Sequence, residues 1–192
     1  MNEKPILFNA DMVNAILSGR KTQTRRIISE KTLHLFNVAA SAGECHPLEL
    51  CDERSQSYYL EFCPLGKPGD QLWVRETFAT GLCTESTLAY RATHKTEDLE
   101  EGWGETIKWT PSIHMPRWAS RINRLITGVR VERLQDISEQ DAMAEGVSAN
   151  EHSPARYVFG SLWQSIYGAD NPKSWQANPW VWVIEFERME AK

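Results

Sequence analysis

The stretch PILFNADMVNAILSGRKTQTRRII, residues 5–28, decides how this chain is read. It opens on a short apolar run, 5–8, with strand character. Asn9 can then cap a helix, because Met12, Val13, Ile16 and Leu17 recur at helical spacing. Phe8 and Val13 are placed to staple across that cap. Gly19 stops the helix, since glycine takes positive φ without penalty. TQTRRII resumes as a strand, with β-branched residues at 22, 24, 27 and 28.

The join between that helix and that strand gathers Arg20, Lys21, Arg25 and Arg26 in a chain of 192 residues whose formal net charge is −5. The flanking arginines disfavour the ammonium form of Lys21. A partly neutral lysine can act as a general base, and Thr24 is the nearest hydroxyl with a nucleophile's chemistry. On residue types alone, a basic strand entrance lying in water is the preferred explanation. Alternation adds an obstacle, because Lys21 and Thr24 point apart on a regular strand. They meet only if residues 20–22 still belong to the turn, or if a bulge intervenes.

Outward from this stretch, residues 29–68 are mixed, with YYLEF (58–62) readable as a strand and GKPGD (66–70) as a turn. QLWVRETF (71–78) reads as a buried strand and TLAYRA (87–92) as another. An acidic loop, 96–105, follows. WTPSIHMPRWASR (109–121) contains two prolines that exclude regular structure. ASRINRLITGVRVERL (119–134) reads as a strand pair or bent strand with a bulge at Gly128. ISEQDAMAEGV (137–147) is a short helix capped by Ser138, with Asp141 completing the box and Gly146 ending it. Pro154 opens a second helix whose stripe is Val158, Phe159, Leu162, Trp163, Ile166 and Tyr167. PWVWVIEFE (179–187) closes the chain as a strand, with Trp180, Trp182, Ile184 and Phe186 on one face. Helices are too few for a parallel sheet. The fold class is therefore α+β, a mostly antiparallel sheet or small β-barrel with flanking helices, and no domain boundary is visible.

Glu145 lies in the last turn of the 137–147 helix, where the helix dipole disfavours a carboxylate and so raises its pKa slightly. That suits acid–base work, although an exposed glutamate explains the position as simply. Eight tryptophans are many for this length. Trp163, Trp180 and Trp182 fit core stripes. Trp73, Tyr90, Trp109 and Trp118 sit beside basic or turn-like segments and are candidates to stack on a nucleobase. His114 stands in a loop. Arg117, Arg121, Arg124, Arg130 and Arg133 form a second basic stretch that could join the first in one groove.

Cys45, Cys51, Cys63 and Cys83 lack a tight Cys-x-x-Cys knuckle and are expected to be reduced thiols, with no metal and no cofactor. No apolar run is long enough to span a membrane, and residues 1–12 lack a signal-peptide core. The expectation is a cytoplasmic protein with no membrane partner.

ILSGRKTQTRR (16–26) resembles the signature of the ASCH domain, a family with a PUA-like β-barrel. GKPGDQLWVRETF (66–78) is similar to that family's strand after a Pro-Gly-Asp turn. WTPSIHMPRWASRI with VERLQDISEQDAMAEGV is similar to long phage and prophage members. The resemblance covers most of the chain as one domain, 1–192, with insertions at about 29–63 and 80–108. It implies an amidohydrolase that removes the acyl group from N(4)-acetylcytidine or a related N-acylated pyrimidine nucleoside. By motif position the implied catalytic residues are Lys21, Thr24 and Glu145, with Glu139 as the fallback. This reverses the preference reached on residue types. The substrate-binding candidates are Arg26, Trp73, Arg75, Glu76, Tyr90, Trp109, His114 and Trp118. The small-molecule partner is then a nucleoside. The alternative is an RNA-binding PUA-like module or a metal-independent ribonuclease. Arg25 departs from the pattern, adding a charge where small members can be apolar.

Overall fold

The computed structural model describes residues 2–50, 53–81, 87–94, 107–150 and 152–189, the side chains of Glu53 and Arg54 excepted. The opening stretch folds as its pattern requires. Strand β1 (Glu3–Leu7) leads to helix α1 (Ala10–Leu17), and Asn9 accepts from the Met12 N–H at 2.9 Å. Phe8 and Val13 are both buried in one core. Gly19 takes φ +78° after the helix, and β2 (Gln23–Ile27) follows.

The next segment departs from the sequence reading. Residues 29–63 hold two helices, α2 (Glu30–Ser41) and α3 (Glu53–Leu60), and YYLEF is the end of α3 and its exit rather than a strand. Ser29 caps α2 by accepting from the Thr32 N–H at 3.1 Å. The aromatic residues that suggest a strand pack helix against helix instead. The rings of Phe36 and Tyr59 lie 4.5 Å apart, and that contact overrides local β-preference. The acidic loop 96–105, Cys51 and Cys83 lie outside the described residues.

The remaining strands are β3 (Gln71–Arg75), β4 (Phe78–Thr80), β5 (Leu88–Tyr90), β6 (Asn123–Arg133) and β7 (Trp180–Arg188). QLWVRETF is thus split between two strands. Helices α4 (Glu139–Ala144) and α5 (Ala155–Tyr167) lie between β6 and β7. The main sheet has the order β1-β3-β6-β7-β2, antiparallel except for the parallel β1–β3 pair, and β4–β5 forms a separate hairpin. The ladder between β6 and β7 shifts register at Ile126–Gly128, the bulge the glycine predicts.

Both faces of the sheet are buried. Trp182, Ile184 and Phe186 of β7 share one core with Val13 and Ile16 of α1, Phe36 of α2 and Tyr59 of α3. Val181 and Val183 share the other with Ala142 of α4 and with Phe159 and Trp163 of α5. This explains why β7 is apolar at successive positions from Trp180 to Ile184, on both of its faces.

The fold class is mixed α+β around a mostly antiparallel sheet. The expected barrel is not closed, for among the described residues no ladder joins the edge strands β1 and β2. The edges nevertheless approach, and Arg26 Nη2 donates to the Leu7 carbonyl across the seam at 2.9 Å. Among the described residues no helix is long and apolar enough to cross a membrane.

Asp70 ends the GKPGD turn and ties it to the start of the chain. Its carboxylate accepts from the backbone N–H of Asn2 at 2.8 Å and of Lys67 at 3.3 Å. These bonds hold its pKa below the usual aspartate value. A depressed carboxylate contributes stability above its unfolded pKa and loses it as pH falls through the folded one. Replacing Asp70 with Asn should therefore lower stability near neutrality and flatten its acid dependence. Urea denaturation at several pH values below about 5 checks this.

Candidate active site

The site is assembled where the 20–22 segment meets the C-terminal end of α4. A helix leaves its last carbonyls without intrahelical partners. Here the basic segment supplies them. The Thr22 N–H donates to the Ala144 carbonyl at 2.8 Å, Lys21 Nζ to the Glu145 carbonyl at 2.9 Å, and Arg20 Nη1 to the Gly146 carbonyl at 3.2 Å. Lys21 and Glu145 form an isolated antiparallel bridge. Lys21 thus lies in the turn, before the strand begins at Gln23, which is the condition that the alternation argument set.

The side chains of Lys21 and Glu145 also meet. Nζ donates to Oε2 at 2.7 Å, and both side chains are almost fully buried. Burial pushes the Lys21 pKa below that of an ordinary lysine. Glu145 opposes the shift, and Arg26 and Arg25 add to it. The flanking arginines alone are therefore not the source of the shift. Desolvation is the larger cause, because the side chain is almost wholly enclosed. The Phe8 ring adds a cation–π contact, with its centroid 5.6 Å from Nζ.

Glu145 and Thr24 wall the same cavity, of about 620 Å³. It lies along the open seam of the sheet. Pro5, Ile6 and Leu7 line it from β1, and Thr24, Arg25, Arg26 and Ile27 from β2. Phe159, Leu162, Trp163, Ile166 and Tyr167 cover it from α5. A volume of this order suits a small organic ligand, and mostly apolar walls with a few polar groups are typical of such pockets. Thr24 is 1% exposed, and among the described residues no hydrogen bond joins its hydroxyl to Lys21. Lys21 is not on the wall. It stands behind it and reaches the cavity through Glu145.

Of the substrate-binding candidates, Arg26 and Arg75 line the cavity. Neither pairs with a carboxylate among the described residues. Arg26 bonds the Leu7 carbonyl, and Arg75 Nε donates to the Met115 carbonyl at 3.0 Å. The other six candidates are not on its wall. Trp73 lies between Arg75 and Arg117, whose guanidinium carbons are 5.5 and 5.8 Å from its ring. Glu76 takes both bonds of Arg121, at 2.9 and 3.0 Å, and that guanidinium lies 4.0 Å from the centre of the Tyr90 ring. Trp109 has Arg91 at 5.4 Å. Trp118 and His114 are exposed. Glu139, the fallback acid, is spoken for: its carboxylate accepts from the backbone N–H groups of Ala155 and Arg156 and so caps α5.

The two basic stretches do meet, but with acids between them. Arg25 and Arg130 share Glu132 and Asp141, and Arg130 also pairs with Glu185. Arg117, Arg121 and Arg133 pair with Glu3, Glu76 and Glu49. The sequence reading missed Glu132 and Asp141 as neighbours of the site, and it took the α5 stripe and Trp182 for core alone. Apolar spacing cannot separate a helix face that fills a core from one that roofs a cavity. The charge alternation at Arg130 and Glu132 on β6 was the one available signal. Among the described residues no cluster of His, Cys, Asp and Glu is arranged to hold a metal.

Comparison with known proteins returns no family model, no curated protein and no solved structure that matches this chain.

Gly146 sits at the centre of the junction. Its φ is +95°, and an added Cβ would lie 3.0 Å from Ala15 Cβ and 3.1 Å from Lys21 Cβ. Gly43 has φ +78° with open space around it. Both alanine variants carry the backbone cost, but Gly146→Ala also pushes α1 and Lys21 apart. It should lose about 1–3 kcal/mol and clearly more than Gly43→Ala, as measured by chemical denaturation.

Proposed function

We propose that this chain is an amidohydrolase of the ASCH type, with a PUA-like arrangement of its sheet, that removes the acyl group from N(4)-acetylcytidine or a related N-acylated pyrimidine nucleoside. One observation carries the reading. A threonine and a glutamate that are 121 positions apart wall one cavity, and the glutamate is bonded to a buried lysine of lowered pKa.

The chemistry follows from those groups. Transfer of one ammonium proton to Glu145 along the 2.7 Å contact leaves Lys21 as a free amine. Thr24 Oγ bonds to the acyl carbon, and its proton passes to Lys21. Thr24 and Lys21 are not hydrogen-bonded in the empty site, and such contacts commonly tighten only when substrate binds. Arg26, with donors not taken by Leu7, stabilises the oxyanion. The C–N bond then breaks, and the Glu145 carboxylic acid protonates the departing exocyclic amine. By then Lys21 is again an ammonium and Glu145 a carboxylate, and water cleaves the resulting ester, one of its protons returning to Thr24 Oγ and its hydroxyl leaving with the acyl group. The ring stacks among Trp163, Tyr167 and Trp182 on the cavity wall.

The test is acetate release from N(4)-acetylcytidine. Thr24→Val keeps shape and removes only the nucleophile, so it should abolish turnover in a folded protein. Glu145→Gln should lower kcat by about 10²-fold or more, the usual scale for a general acid or base. The rate should fall as pH rises through the Lys21 midpoint, which lies below that of a free lysine, because the pair then has no proton left for Glu145 to deliver. Undiminished turnover in Thr24→Val would rule out the mechanism. RNA strand scission without acetate release would favour the ribonuclease reading instead.

A further inference from the structure

Arg25 is on the cavity wall, yet it has nothing left to give a ligand. A guanidinium carries five N–H donors. Arg25 Nε and Nη2 both donate to Glu132 Oε1, and Nη1 donates to Glu145 Oε1 at 3.1 Å. With the Gln23 amide turned to satisfy its neighbours, its oxygen accepts from Nη1 at 2.8 Å and Nη2 at 3.2 Å. All five donors are then used. The Gln23 amide nitrogen donates in turn to Asp141 Oδ1 at 3.0 Å. The Arg25 side chain is fully buried.

Glu145 is consequently held from two sides. Arg25 takes Oε1, and Lys21 takes Oε2. Two bonds from different directions fix the plane of a carboxylate, where one would leave it free to turn. Arg25 is itself fixed by Glu132, and Arg130 holds both Glu132 and Asp141 from the next position on the same sheet face. The chain of contacts runs Lys21, Glu145, Arg25, Glu132, Arg130. Each group sits on a different element or register position, so no single segment defines it.

We infer that Arg25 is a positioning residue. Anchored by Glu132 and Gln23, it orients the Glu145 carboxylate so that Oε2 faces Lys21 and the cavity, and it makes no contact with substrate. The inference rests on the amidohydrolase reading for its kinetic consequence, but not for its structural one. It also gives the added charge at position 25 a purpose.

The experiment compares Arg25→Lys, Arg25→Gln and Glu132→Gln with the unaltered protein. Acetate release from N(4)-acetylcytidine and NMR titration of the Lys21 ammonium are both measured, and folding is checked by urea denaturation. The charged groups that face Lys21 are Glu145 from the end of α4 and Arg25 and Arg26 from β2. Arg25→Lys keeps the charge but loses the fork. It should lower kcat by about 10²-fold, the scale of a misplaced catalytic group, with KM little changed and the Lys21 midpoint held. Arg25→Gln should lower kcat as much and also move the Lys21 midpoint upward, since a like charge is gone. Glu132→Gln loosens the anchor without touching Arg25 and should repeat the loss in kcat. A raised KM at constant kcat would overturn the inference, because Arg25 would then be binding substrate. If the unaltered protein releases no acetate, the amidohydrolase reading fails alone. The orientation of the Glu145 carboxylate in a crystal structure of folded Arg25→Lys then decides, and an unchanged carboxylate plane overturns the positioning role.

Discussion

The contact between Lys21 and Glu145 is the constraint from which the site follows. It joins the first turn of the chain to the end of a helix more than 100 residues later, through both backbone and side chain. Such a pair adds little net stability, since desolvation offsets most of the attraction. Leaving either partner alone in the same place costs about 3–5 kcal/mol. The fold therefore depends on keeping both groups, and it backs them with the buried Arg25 and the partly exposed Glu132, Asp141 and Arg130. An apolar pair would pack as well and hold the helix as firmly. What it would not offer is an exchangeable proton beside a cavity.

That cavity exists because the sheet stays open. β1 and β2 approach each other and are spanned by an arginine side chain instead of a ladder. Closing the seam with backbone hydrogen bonds would remove the space that Thr24 and Glu145 face. Pro5 on β1 fits the same arrangement, since a residue without an N–H is tolerated on an edge strand. Helix α5 covers the gap with Phe159, Trp163 and Tyr167, so the protection an edge strand needs is supplied by the roof of the pocket.

The charge distribution also looks different in space. Two basic stretches in an acidic protein suggest a positive groove. Arg25, Arg117, Arg121, Arg130 and Arg133 instead pair with Glu3, Glu49, Glu76, Glu132, Asp141 and Glu185, drawn from six separate points of the chain. Arg26 and Arg75 are the arginines on the cavity wall that make no ion pair with a carboxylate among the described residues. A local excess of one sign reports on partners only after the opposite sign has been located.

Sequence alone determined the elements that carry their own signals. Asn9 and Ser138 capped their helices, Gly19 and Gly146 ended them, Gly128 bulged its strand, and Pro154 opened α5 as expected. Those effects act within a few residues, so a linear reading captures them. It also put Lys21 and Thr24 on either side of a strand's beginning. Only the tertiary structure decided that 58–62 is helical, that the sheet is unclosed, that Glu139 caps a helix while Glu145 meets the lysine, and that Arg25 is enclosed by Glu132, Asp141 and Glu145. Each of those outcomes is set by packing or charge pairing between residues far apart in the chain, and such energies have no local pattern to betray them.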